Sequence, residues 1–247
     1  MRPSSTGSLW RGLRLALAFL TRVPLPSPHP AIPFEQALPW FPWVGLLFGG
    51  IGLGLAQALS RLFSPLLVAS LILFAWAVLS GFLHLDGLAD CWDALFPPLP
   101  PEKRWQVLKD PHLGAFGVIG LMLHLLVKLM ALLAVLNLHP LGVLVAPVWA
   151  RWLVLWVGRL PPARPEGLGA TFVQAVTQRA LLWSSPLPLL VIPLGGWHSL
   201  IALPLAAAGS AALGWLARRR LGGISGDVLG AVIEVSETLV LLAFAIP

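Results

Sequence analysis

Charge is scarce in this chain, and cysteine is scarcer. Only 11% of its 247 residues are Asp, Glu, Lys or Arg, against 57% hydrophobic, and the mean hydropathy is +0.86. A soluble domain carries about 25% charged residues, so the shortage excludes a surface that faces water all round. No polar segment is long enough to fold separately, and one integral membrane domain over residues 1–247 is the economical reading. The single Cys91 excludes an internal disulfide. A small-residue cleavage site is also missing near the N-terminus. Arg11 and Arg14 precede the short apolar stretch Leu15 to Leu20 and Arg22 follows it, so an interfacial helix is expected rather than a signal peptide.

What the chain does have is a series of apolar runs of roughly 18 to 25 residues, the length a spanning helix needs. The expected fold is all-α: a polytopic helical bundle of about seven spans (six to eight) plus the N-terminal interfacial helix. After the proline-rich run Pro24 to Pro33, the first span covers Trp40 to Leu59 and carries Gly45, Gly49, Gly50, Gly52 and Gly54, which permit close helix contact. The second covers Pro65 to Leu85 and the third His112 to Leu136, while the fourth ends near Gly158. The fifth and sixth are separated by Gly195 to His198, and the last covers Asp227 to Ile246. Prolines make the fifth and sixth the least regular.

A net charge of +6 could suggest nucleic acid, but the basic residues sit in the connections between apolar runs. With seven spans and a cytoplasmic N-terminus, 13 of the 16 Lys and Arg fall on the cytoplasmic side, and Arg61 alone lies in an outside connection. The pattern implies a multi-pass protein of the cell (inner) membrane, with the lipid bilayer and not nucleic acid as its partner. Lys128 and Arg151 lie inside spans and need acidic partners.

Ten acidic residues exist, and they cluster. Asp86, Asp90 and Asp93 fall at roughly 0°, 40° and −20° around a helix, hence on one face. Like charges so placed repel unless a cation sits among them, and hard oxygen ligands suit Mg²⁺. A second group, Asp227 and Glu234, is separated by about 20° on the last helix, with Gly230 and Ala231 leaving room between for a ligand or a close helix. Glu234 and Glu237 are expected to face a wet cavity, because a carboxylate in lipid is costly. The Gly222 to Gly226 entry to this helix could hold phosphate through Gly223 and Ser225. In Lys109-Asp110-Pro111-His112, Asp110 suits an N-cap with Pro111 as the first helical residue, and Lys109 and His112 would flank an anion site. Both acidic groups fall at cytoplasmic ends. Carboxylates, a divalent cation and a basic rim suit transfer to an activated phosphate at a membrane surface.

Five segments together resemble the cobalamin synthase family: Phe19 to Pro24, Phe41 to Gly45, Leu83 to Asp90, Lys109 to Gly117 and Gly226 to Glu237. The resemblance covers nearly the whole chain, with the motifs in the family's order. It implies an adenosylcobinamide-GDP ribazoletransferase, which joins α-ribazole or its 5′-phosphate to adenosylcobinamide-GDP and releases GMP, with Mg²⁺ as the metal. It leaves room for a homo-oligomer and for docking of other cobalamin-pathway enzymes. The expected catalytic residues are then Asp86, Asp90 and Asp227, and the expected metal ligands Asp86, Asp90, Asp93, Asp227 and Glu234. Substrate contacts are expected from Arg22, Lys109, Asp110, His112, Arg151, Gly223, Ser225 and Glu237. His112 stands where the family often has Arg, and Ala94 where it has Gly. Other readings fit less well. A CDP-alcohol phosphotransferase wants D-x-x-D-G followed by A-R, whereas D-G-x-x-D stands here; an aromatic-acceptor prenyltransferase shares only the acid-rich surface. A transporter or channel would call for related halves, and no internal repeat is visible.

Overall fold

The computed structural model describes residues 5–25 and 32–247 of the chain; positions 26–31 of the expected proline-rich run lie outside them. The protein is a polytopic helical membrane protein. Among the described residues the regular elements are helical, and the only extended pairing is an isolated bridge between Pro162 and Ile224.

Helix α1 (Ser5–Leu20) leads through two short 3₁₀ turns into α2 (Phe41–Leu59). Three of the five glycines of α2 serve as expected. A Cβ on Gly45 would lie 2.3 Å from the Pro147 carbonyl oxygen, one on Gly49 2.7 Å from Leu144 Cα, and one on Gly52 2.7 Å from a Val143 methyl. This i, i+4, i+7 face therefore seats α2 against α7 (Gly142–Val157), backbone to backbone. Gly50 and Gly54 meet nothing.

The second apolar run is two helices, α3 (Pro65–Leu79) and α4 (Leu83–Leu95), which meet at 89°. The break is local. Gly81 and Phe82 both take positive φ, +59° and 62°, and the backbone N–H of Arg22 donates to Leu79 O at the end of α3. After the short α5 (Pro101–Val107), α6 (Ala115–Leu138) and α7 complete the first part of the bundle.

Among the described residues three helices are long and apolar enough to cross a membrane, or four if the bent α3–α4 pair is one span, fewer than the seven expected. The connection after α7 contains α8 (Leu168–Ala175), and the fifth run is broken into α9 (Gln178–Ser184), α10 (Pro186–Leu190) and a 3₁₀ turn, Ile192–Gly195. Pro186, Pro188 and Pro193 lack the N–H that a continuous helix would use. The pieces still travel the length of the bundle. At one end Thr177 donates to Glu35 just ahead of α2; midway Trp149 Nε1 donates to Pro188 O; at the other end Gly195 packs on the Phe244 ring.

Helix α11 (Trp197–Leu221) buries Ala202, Ala206, Ser210 and Gly214 at four-residue spacing. It pairs with α12 (Gly226–Phe244), and Ser210 and Ser236 share a hydrogen bond at the seam. The chain therefore enters α12 at the same end of the bundle that holds α4.

Candidate active site

Helix α4 crosses the first turns of α12. The contact is possible because two glycines face it. A Cβ on Gly87 would come within 2.9 Å of Asp227 Cα, and one on Gly230 within 3.1 Å of His84 Cα. The space left by Gly230 thus receives a helix. The crossing carries Asp86 and Asp90 on one side and Asp227 on the other: Asp86 is exposed, Asp90 and Asp227 are half-buried. Asp90 lies in the repulsive field of Asp227, Asp86 and Asp93, and Asp227 in that of Asp86. Among the described residues none of these three acids forms an ion pair. Ser225 caps α12 by accepting from Val228 N–H and donates its hydroxyl hydrogen to Asp227 Oδ2 at 3.2 Å.

The remaining expected ligands stand elsewhere. Asp93 is buried with both oxygens engaged, Oδ2 accepting from Gly114 N–H and Oδ1 from Gly117 N–H, each at 2.8 Å. It caps α6 from α4, the role expected of Asp110. Asp110 instead closes a turn with His112, accepting from its backbone N–H at 3.0 Å and pairing with its Nδ1 at 2.7 Å. Those two hydrogen bonds hold the exposed Asp110 carboxyl below its usual pKa, the backbone bond contributing most. Asp93 thereby ties the exposed 109–112 segment, with Lys109 and His112 open to solvent, to the acidic helix.

Glu234 shares a face with Asp227, but seven residues along a helix is roughly 10 Å. Instead of facing the expected wet cavity, Glu234 is buried against cationic partners. Lys128 Nζ donates to Glu234 Oε2 and to Glu237 Oε2, each at 2.6 Å, and Arg151 Nη1 donates to Glu237 Oε1 at 2.5 Å. All four side chains are buried, and His124 Nε2 stands 3.6 Å from Glu234 Oε2. Lys128 and Arg151 thus find the acidic partners they require, and the cluster clamps α6 and α7 to α12. Arg151, Glu234 and Glu237 are committed to one another and do not face a substrate surface. Gly223 is likewise committed: Ile224 N–H donates to Pro161 O and Ala163 N–H to Ile224 O, with Gly223 packed on the Pro161 carbonyl. Arg22 lies exposed over the α3–α4 break, beside Gly81.

Two site-adjacent residues escape a sequence reading. Arg104 donates to the carbonyls of Ala94 and Pro97, and Arg220 to that of Leu95, so two apparent topology markers hold the C-terminal end of α4. Only their distance in sequence from α4 concealed them.

Among the described residues, no three Asp, Glu, His or Cys side chains are close enough to form a ready-made metal site. Asp86, Asp90 and Asp227 are nonetheless hard-oxygen donors at one helix crossing, without an ion-pair partner among the described residues and within one another's electrostatic field. That donor set fits Mg²⁺, which commonly keeps several waters and takes one or two carboxylates plus substrate phosphate.

Proteins named adenosylcobinamide-GDP ribazoletransferase match along most of the chain. That of Deinococcus radiodurans is 42% identical over 94% of this chain and 84% of its own length. That of Syntrophobacter fumaroxidans is 40% identical over 96% and 99%, and that of Desulfitobacterium hafniense 38% over 94% and 95%. No solved structure matches. The model of the cobalamin-5-phosphate synthase family matches residues 12–245, and the chain belongs to that family.

Proposed function

We propose that this protein is an adenosylcobinamide-GDP ribazoletransferase whose reaction centre is the crossing of α4 and α12. The observation that carries the reading is the seating of Gly87 on the Asp227 backbone, which brings the acids of two distant segments to one place without cationic partners. A ribose hydroxyl oxygen of α-ribazole, or of its 5′-phosphate, bonds to the phosphorus that bears the cobinamide. The bond from that phosphorus to the bridging oxygen breaks, GMP leaves with that oxygen, and a carboxylate of the crossing takes the hydroxyl proton.

Asp86, Asp90 and Asp227 would hold Mg²⁺, which when bound neutralises diphosphate charge. Lys109 and His112, on the segment that Asp93 anchors, supply the positive rim for the GDP-linked substrate. Ser225 orients the Asp227 carboxylate. The end of the bundle carrying these groups faces the cytoplasm, in keeping with the basic residues around it. Purified protein in liposomes is expected to release GMP from adenosylcobinamide-GDP only when ribazole and Mg²⁺ are both present. GMP release that ignores ribazole, or none at all, would refute the assignment.

A further inference from the structure

A groove of about 470 Å³ opens on the flank of the bundle between α3, α4 and α6, and Asp86 stands in its wall. Ligand pockets commonly measure 300–1,000 Å³. Apart from Asp86 and Ser70 its walls are apolar, with Leu73, Ala77, Leu121 and Leu125 among them. Ser70, the other polar residue of the lining, donates its hydroxyl to Leu66 O at 2.8 Å. Asp86 is therefore the one charged group the groove offers, and its walls present a ligand ring with no free hydrogen-bond donor.

Phe82 sits at the rim. It occupies the left-handed region, φ 62° and ψ 2°, where Gly or Asn would fit more easily than a bulky side chain. Its ring is 52% exposed, lines the groove and has no aromatic partner among the described residues. The turn would be better made by glycine, so packing and backbone geometry leave the ring unexplained.

Resting on the function proposed above, we propose that this groove takes the base of the nucleoside acceptor. The ring of Phe82 would lie against that base, and Asp86 would be the carboxylate nearest the attacking hydroxyl. The two substrates differ in the chemistry that decides this. The base of ribazole is a flat bicyclic aromatic that carries methyl groups and no ring N–H. The guanine of the other substrate carries carbonyl and ring-nitrogen acceptors, for which these walls hold no free donor. An apolar slot without a free donor suits the first better than the second.

The test measures GMP release in liposomes with each substrate varied in turn, for Phe82→Gly and for Ala77→Leu. Glycine accepts the backbone angles of position 82, so Phe82→Gly keeps the turn while deleting the ring. Leucine at position 77 adds bulk to the slot and keeps the carbonyl that accepts from Phe82 N–H at the break. Each variant is expected to raise KM for ribazole about tenfold, the size of one lost base–aromatic stack, and to leave KM for adenosylcobinamide-GDP within about twofold. Should Phe82→Gly fail to accumulate, Ala77→Leu decides alone. An unchanged ribazole KM would mean that lipid fills the groove; a parallel rise in both constants would mean general loosening. Either result overturns the proposal while the transferase assignment stands. Failure of the unsubstituted protein to release GMP refutes that assignment instead.

Discussion

Helix α12 carries acids in two surroundings, and they are built in opposite ways. At its first turn Asp227 meets Asp86 and Asp90 across a glycine contact, and among the described residues no cationic side chain pairs with them. Two turns deeper, Glu234 and Glu237 are bonded to Lys128 and Arg151 in a buried cluster. Both groups lie among apolar helices. The deep one is complete within the protein, so its chemistry is spent on holding α6, α7 and α12 in register. The shallow one is incomplete, because repelling carboxylates are kept together with nothing to neutralise them. On the function proposed above, stability and reactivity are separated along one helix by roughly 10 Å.

Substitutions can break this contrast at either level. The largest effect is expected from Asp227→Asn or Asp86→Asn, each keeping shape while removing charge. GMP release should fall by about 10³-fold or more, some 4 kcal/mol of barrier, while the protein accumulates and melts as before. Glu237→Gln should do the reverse at first order. It leaves Lys128 and Arg151 under-neutralised in the interior, at a cost of about 3–5 kcal/mol, read as a lowered Tm in detergent. Mild destabilisation with lost turnover would return Glu237 to the reaction centre. The smallest effect is expected from Lys109→Ala, a solvent-exposed phosphate contact. KM for adenosylcobinamide-GDP should rise about 3- to 10-fold, roughly 1 kcal/mol, with turnover nearly kept; unchanged kinetics would leave Lys109 as a marker of topology.

Much of this architecture is legible in the residues. Apolar runs foretell the helices, and the scarcity of acids singles out Asp86, Asp90 and Asp227. The demand of Lys128 and Arg151 for partners anticipates the buried cluster. Helical periodicity misleads where it stops at angle. It places Glu234 on the face of Asp227 and Asp93 on that of Asp86, but carries no account of depth or of what a neighbouring helix presents. Asp93 meets the free N–H groups of α6, and Glu234 meets Lys128. The 89° break at Gly81 and Phe82 is equally invisible, because Phe is a poor sign of left-handed backbone. The fifth run could be foreseen as irregular from its prolines, though not as a set of short helices held by Glu35, Trp149 and Phe244.

The central claim is that α4 and α12 together make one cation site, and Mn²⁺ binding to the purified protein, followed by electron paramagnetic resonance in place of Mg²⁺, tests it most directly. With adenosylcobinamide-GDP present, Asp86→Asn and Asp227→Asn should each weaken Mn²⁺ binding about tenfold or more, since each removes a hard anionic donor from the same ion. Mn²⁺ bound as tightly by Asp227→Asn as by the unsubstituted protein would contradict the claim and leave the two acidic helices with separate roles.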